Sequence, residues 1–283
     1  MKTIILLINN KKQFNKMKKL TIFAVAFAAI VFAACGGKKT ENNVEDADSL
    51  KTFEQQQIEA SIKMHIDSIA AEVGKLKQPG FVQESNGGLT LTKEEKQVKP
   101  NYLLPASAAD DAATLAEKYR MLSALSVDKK VAELYEMPVE DYDKAIAKLI
   151  ADINDPSFKT VENSGTIFET TQTLYEEMEK NGRINYFWQL ASAALVEELY
   201  IANQNADKFL SVVDDEAASN ITFRVILVLD AINRLAEYDP EIKPIADAVA
   251  PLEVLNSTST DELKKQLNDA KDAIDTARAA LVK

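Results

Sequence analysis

Cysteine and histidine are nearly missing from this chain of 283 residues, which contains one of each, Cys35 and His65. A single cysteine excludes an intramolecular disulfide, so the core has to hold the fold together. A single histidine excludes the His-Glu-x-x-His zinc motif and the paired Glu-x-x-His ligands of a di-iron bundle. We expect His65 to be a solvated side chain on the first helix, and we predict no catalytic residue, no metal site and no cofactor.

Glycine and proline are also scarce, with eight of each. The glycines are too few and too scattered to form a phosphate-binding loop, and no Gly-x-x-x-x-Gly-Lys motif is present. Alanine, leucine, glutamate, lysine and glutamine are abundant instead, and these residues favour helices. We therefore predict an all-α protein, a single helical bundle of about eight to ten helices with a flexible N-terminal tether.

Acidic side chains outnumber basic ones, 44 against 33, for a formal net charge of −11. The first 34 residues contain six of the lysines and no acidic residue, so the rest of the chain has 27 basic and 44 acidic side chains. Such a surface repels phosphate backbones and anionic lipid headgroups. We predict no nucleic-acid partner and no membrane binding driven by charge.

The N-terminus has the charge and hydropathy pattern of an export signal. Lysines are concentrated in residues 11–19, and an apolar run interrupted by one threonine follows at 20–34. This order is typical of a secretory signal, and the run is too short to span a membrane comfortably. We predict a signal peptide at residues 1–34. A start at Met17 would give the more usual signal length, and the sequence leaves Met1 and Met17 both open.

Cys35 directly follows the apolar run. The residues Phe32-Ala33-Ala34-Cys35 resemble the lipobox of Gram-negative bacterial lipoproteins, with Phe32 where leucine is usual. Phe32 is also too large for an ordinary signal-peptidase site, which needs a small residue at that position. The alternative to lipid attachment is a free thiol near the end of the signal. The resemblance implies that the thiol of Cys35 is acylated and that the membrane is bound through those acyl chains.

The residue after the cysteine bears on the location. Gly36 stands where some bacteria place the aspartate that retains a lipoprotein in the inner membrane. The resemblance therefore implies a lipid-anchored protein of the outer membrane that faces the periplasm, with display on the cell surface left open. The helical body resembles exported all-helical proteins of no established activity.

Beyond the cysteine, the sequence predicts a tether and then one domain. Residues 35–49 are small, polar and charged, which indicates a flexible spacer. Residues 50–283 form the predicted all-helical domain, and its first helix has an apolar face. Residues 78–105 are predicted to be an irregular and mobile loop, in which Thr92 and Glu95 have the spacing of a capping box for one short helix.

Helix boundaries recur through the rest of the domain. Asp128 is predicted to open a new helical segment. Asn181-Gly182 is predicted to end a helix through a left-handed residue, and Ser259 with Glu262 has the capping-box spacing for the last one.

Two segments, 184–202 and 221–235, are apolar nearly all round and are predicted to lie at the centre of the bundle. The first contains Trp188, and the second contains Arg224 within a run of apolar residues. A charge in such a run needs a partner, and Glu197 or Glu198 of the first segment could supply it. Arg224 and its glutamate partner are predicted to form either a buried ion pair or the polar end of a ligand pocket.

Three hypotheses for the function follow from these observations. The first is a lipid-anchored envelope protein that acts by binding or scaffolding, with a protein or a component of the cell envelope as partner. The second is a small-ligand carrier with a pocket between the two central helices, near Trp188 and Arg224. The third is a carboxylate-based hydrolase, because acidic side chains are plentiful although no pair can be located from sequence.

Overall fold

The computed structural model describes residues 57, 60–69, 89–161 and 171–282. The predicted signal peptide, the tether and Cys35 lie outside these residues. The chain divides into two units, Met1–Lys63 and Met64–Lys283. In the first unit, residues 57 and 60–63 are described and are helical. The side-chain contacts described below all lie in the second unit.

The all-α prediction is confirmed. The described residues contain twelve α-helices, three short 3-10 helices and no strand. Eight to ten helices were predicted, and the larger number arises because several helices have only four to seven residues. The α-helices are α1 (60–69), α2 (Lys93–Gln97), α3 (Leu115–Leu134), α4 (Glu140–Ile153), α5 (Ser157–Val161), α6 (Thr171–Lys180), α7 (Ile184–Gln204), α8 (Ala206–Phe209), α9 (Asp215–Ala236), α10 (Lys243–Val249), α11 (Thr260–Asp269) and α12 (Lys271–Leu281).

The helix ends follow local chemistry that the sequence predicted. The hydroxyl of Thr92 accepts the N–H of Glu95 at 3.2 Å, and the carboxylate of Glu95 accepts the N–H of Thr92 at 2.8 Å, which is a complete capping box. The hydroxyl of Ser259 accepts the N–H of Glu262 at 3.3 Å and caps α11. The prediction that Ser259 begins the last helix is wrong, because α11 ends at Asp269 and α12 follows it. Gly182 ends α6 with a φ of 67°, a left-handed conformation that glycine adopts without strain.

The prediction that Asp128 opens a new segment is wrong. Helix α3 continues through this position to Leu134. The carboxylate of Asp128 does not cap a helix, because its side chain is buried and accepts the N–H of Leu104. Helix α3 ends instead near Glu136, which has a φ of 52°.

The core of the second unit forms around the two apolar helices predicted from sequence, α7 and α9, together with α3. Helix α7 contacts α3, α9 and α12. Trp188 of α7 is completely buried, and so are Tyr119 and Leu122 of α3. No helix within the described ranges is both long enough and apolar enough to cross a bilayer.

Candidate functional site

Two carboxyl groups meet inside the bundle. Asp128 lies in the middle of α3, and Glu197 lies on α7. The two acids are close enough for each to affect the pKa of the other. The residues are 0% and 1% exposed, so neither carboxyl group reaches solvent. Placing two acidic groups in such a site is costly unless a cation or a proton compensates their charge.

Arg278 of α12 supplies one compensating charge, and it binds Glu197. Its Nε donates to both carboxylate oxygens of Glu197, at 3.0 and 2.8 Å, and its Nη2 donates to Oε1 at 2.7 Å. The guanidinium lies over the ring of Tyr200, 3.8 Å from the ring centroid. Forked hydrogen bonds of this kind are among the stronger interactions of a carboxylate, and the aromatic face stabilises the cation further.

Asp128 has a different environment from Glu197. Its Oδ2 accepts the N–H of Leu104 at 2.9 Å, whereas Oδ1 is buried and has no group that donates to it. Burial raises the pKa of Asp128 well above its usual range, and the charge of Glu197 raises it further. Burial also raises the pKa of Glu197, but the hydrogen bonds and the charge of Arg278 oppose that effect.

Residues 102–105 cross this cluster, and we call them the strap. Arg278 Nη2 donates to the carbonyl of Tyr102 at 3.3 Å, and the N–H of Leu104 donates to Asp128. The charged side chains that bind each other therefore also bind the main chain of the strap. The strap belongs to the loop predicted to be irregular and mobile; it has no helix, but buried side chains fix it.

Two tyrosines and a lysine extend these contacts. The hydroxyl of Tyr142 on α4 donates to the carbonyl of Leu104 at 2.6 Å, and burial raises the pKa of Tyr142 to about 12. The ring of Tyr102 meets that of Tyr200 edge to face, with centroids 6.4 Å apart. Lys99, just before the strap, donates to the carbonyl of Tyr135 near the end of α3. The strap is thus held by side chains of α3, α4 and α12.

The predicted partner of Arg224 is Glu198. Nη2 of Arg224 lies 3.3 Å from Oε2 of Glu198, and the two side chains are 11% and 14% exposed. Glu197 lies on another side of α7, because consecutive helical residues are rotated by about 100°. Of the two glutamates that the sequence left open, the first therefore binds α12 and the second binds α9.

Trp188 does not belong to the same group as Arg224. It lies ten residues before Glu198 on α7, which corresponds to about 15 Å along the helix axis. Its ring meets those of Phe187 and Tyr175 edge to face, at centroid distances of 5.1 and 6.3 Å. The indole N–H is buried and has no acceptor. Trp188 is thus an aromatic core residue, and the structure does not bring it together with Arg224.

His65 is not simply solvated. Its Nε2 lies 2.7 Å from Oδ2 of Asp230 on α9, and its side chain is 21% exposed. Two residues later, Asp67 accepts a hydrogen bond from the hydroxyl of Tyr175. These polar contacts flank Ile66, which is 2% exposed. They fasten the described part of α1 within the second unit.

The sequence did not identify Asp128, Arg278 or the strap. A usable signal was nevertheless present, because Asp128 follows Leu125 by three positions and precedes Val131 by three, on the apolar face of α3. Arg278 likewise follows Ile274 by four positions and precedes Leu281 by three, on the apolar face of α12. A charge in register with an apolar face indicates a buried, partnered group. Over the described part of the chain, no three acidic, histidine or cysteine side chains converge to hold a metal ion.

Comparison with models of protein families, with curated proteins and with solved structures finds no match to this chain.

Proposed function

We propose that this chain is a lipid-anchored protein of the outer membrane that acts by binding or scaffolding and not by catalysis. The observation that carries the proposal is the order of its N-terminal sequence, in which a basic stretch, an apolar run, Phe32-Ala33-Ala34-Cys35 and a polar spacer follow one another. Acyl chains on Cys35 supply the membrane affinity that an acidic protein surface lacks.

The charged cluster supports binding over catalysis. Glu197 uses both of its oxygens on Arg278, and Asp128 and Arg278 each also bind the main chain of the strap. These groups are engaged with one another beneath the strap, which is the arrangement of a structural network. The partner in this proposal is a protein or another component of the cell envelope, bound at the surface of the helical body.

Metabolic labelling tests the anchor. Cells of a Gram-negative host that express the full chain are grown with an alkyne-tagged fatty acid, and the chain is then tested for label and fractionated. We expect the wild type to be labelled and to sediment with outer membranes, whereas Cys35→Ser is unlabelled and soluble. Phe32→Leu, which restores the usual lipobox residue, is the matched control and should be labelled at least as well. Equal membrane retention of Cys35→Ser would refute the lipoprotein proposal.

A carboxylate-based hydrolase is the second candidate, because Asp128 and Glu197 converge and have different environments. Such an enzyme needs one protonated carboxylic acid and one ionised carboxylate. Substrate would reach them only after the strap had moved. Turnover of chromogenic glycosides or esters that is lost in Asp128→Asn would favour this candidate. The carrier hypothesis is not favoured by the geometry, since Trp188 and Glu198, the partner of Arg224, lie about 15 Å apart along α7.

A further inference from the structure

The cluster beneath the strap contains two carboxyl groups and one guanidinium. Arg278 engages both oxygens of Glu197 but donates no hydrogen bond to Asp128. If both acids were ionised, the buried cluster would hold one uncompensated negative charge. Burying that charge costs far more free energy than protonating one of the two acids. The charge count therefore requires one proton in addition to Arg278.

The hydrogen bonds show where that proton belongs. Both Glu197 oxygens already accept from Arg278, so Glu197 is bound as an anion. Asp128 Oδ1 is buried and has no donor, and Glu197 is the other buried acid whose charge acts on Asp128. An ionised Asp128 would leave Oδ1 as an unsatisfied acceptor. A protonated Asp128 turns the same atom into a donor to Glu197, and every polar atom of the pair is then satisfied.

The groups that face Asp128 come from every neighbouring element, and their net effect favours this assignment. Glu197 of α7 disfavours a second negative charge, and Arg278 of α12 partly offsets it. Tyr142 of α4 and Tyr102 of the strap are neutral phenols whose pKa values are raised mainly by burial. The Leu104 N–H of the strap lowers the pKa of Asp128, but burial has the larger effect and the pKa remains raised.

We propose that Asp128 carries a proton and that Glu197 carries the negative charge. The proton on Asp128 locks the strap onto α3 and α12. Its removal therefore loosens residues 102–105. The device is a conformational lock that responds to alkaline pH. It is independent of the lipid anchor and of whatever the helical body binds. Its consequence is that the two acids are not interchangeable, although both are buried in one cluster.

Hydrogen exchange at the amide of Leu104 measures the lock directly. The rate is followed in the full chain over about pH 6 to pH 9 and corrected for intrinsic exchange. We expect the protection of this amide to decrease as pH rises, by up to about tenfold per pH unit while Asp128 is protonated in the locked state and ionised in the open one. The decrease should level off once Asp128 has ionised in the locked state as well. The carboxylic acid should also give an infrared C=O stretch at neutral pH that is absent from Asp128→Asn.

Asp128→Asn is the decisive variant. Its amide nitrogen can donate to Glu197 while its oxygen accepts from Leu104, so it reproduces the protonated acid and cannot lose the proton. We expect Leu104 protection to be retained and to become independent of pH. Asp141→Asn, at an aspartate whose side chain is 84% exposed, is the matched control and should behave as wild type. Glu197→Gln should lose protection at every pH, because Arg278 then has no anion.

Three results would overturn the proposal. Leu104 protection in Asp128→Asn that keeps the pH dependence of wild type would show that another group titrates. Loss of the fold or of Leu104 protection in Asp128→Asn at every pH would show that Asp128 acts as an anion. Equal tolerance of Asp128→Asn and Glu197→Gln would show that the proton has no fixed position.

Discussion

Arg278 and Glu197, 81 residues apart in sequence, form a forked ion pair with three N–H···O distances between 2.7 and 3.0 Å inside the helical bundle. The pair joins α12 to α7, and through Tyr102 it also holds the strap. Its position explains how a chain without disulfides fixes its C-terminal helix. Arg120 on α3 makes a second contact to the same helix, with Nε 2.9 Å from the carbonyl of Leu281.

Removing Arg278 should therefore be strongly destabilising. Arg278→Ala leaves the Glu197 charge buried beside Asp128, and breaking a buried pair in this way costs about 3 to 5 kcal/mol of the free energy of unfolding. Urea denaturation followed by circular dichroism measures the loss. Replacing both partners with apolar residues, as in Arg278→Met with Glu197→Leu, should cost less than Arg278→Ala alone, because no charge remains buried.

A partly exposed arginine provides the control for this prediction. Arg234 is 30% exposed and lies 4.0 Å from Asp230 and 3.9 Å from Glu237. Arg234→Ala should change the free energy of unfolding by less than about 1 kcal/mol, as expected for surface pairs. Similar losses for Arg278→Ala and Arg234→Ala would show that the forked pair does not hold α12 in place.

The pairing of Arg224 can be tested separately with a double-mutant cycle. The structure gives Arg224 one contact, at 3.3 Å to Glu198, with both side chains mostly buried. The Arg224→Ala and Glu198→Ala cycle should give a coupling energy above about 0.5 kcal/mol. The cycle with Glu197→Ala should give a smaller value, because Glu197 binds Arg278. The reverse order of the two coupling energies would contradict the assignment of partners.

The first helix offers a comparison of two neighbouring side chains. Ile66 is 2% exposed and Met64 is 65% exposed. Ile66→Ala should cost about 2 to 5 kcal/mol, because it removes buried methyl groups and leaves a cavity. Met64→Ala should lie within about 0.5 kcal/mol of wild type. Denaturation midpoints of the two variants check this, and equal midpoints would mean that α1 is not part of the cooperative core.

The features that the sequence predicted correctly depend on neighbouring residues. The capping box at Thr92, the N-cap at Ser259 and the turn at Gly182 are set by residues at most three positions apart, and α7 and α9 were evident from segments that are apolar nearly all round. The cluster beneath the strap was missed because its members come from three distant helices. Sequence alone also could not choose between Glu197 and Glu198, since α7 is apolar nearly all round and offers no polar face to orient it.

Residues 102–105 of the loop predicted to be mobile have partners for their main chain, for a physical reason; residues 78–88 of that loop lie outside the described residues. The main chain of the strap lacks helical hydrogen bonds, so its N–H and C=O groups need partners elsewhere. Asp128, Tyr142 and Arg278 provide them from three helices. No pattern within residues 78–105 could show this, because the groups that fix the strap lie outside that range.

Stability should also depend on pH through the buried acids. Burial raises the pKa values of Asp128 and Glu197 above their usual ranges, so the folded protein holds more protons than the unfolded chain above about pH 4. The free energy of unfolding should then fall as pH rises toward the raised pKa values. The two buried acids make their full contribution to stability only below about pH 4. Glu95, Glu117 and Glu136 have lowered pKa values and act in the opposite direction, but their effect ends once the unfolded carboxyls have ionised, at about pH 5.

Urea midpoints measured between about pH 5 and pH 8 isolate the contribution of the buried acids, because the exposed glutamates no longer titrate there. Wild type should lose stability steadily over this interval, and Asp128→Asn should lose much less, since the amide cannot ionise. Asp141→Asn should follow the wild-type curve. Parallel curves for wild type and Asp128→Asn would show that Asp128 is already ionised in the folded protein at pH 5, and the charge of the cluster would then have to be balanced by a cation other than Arg278.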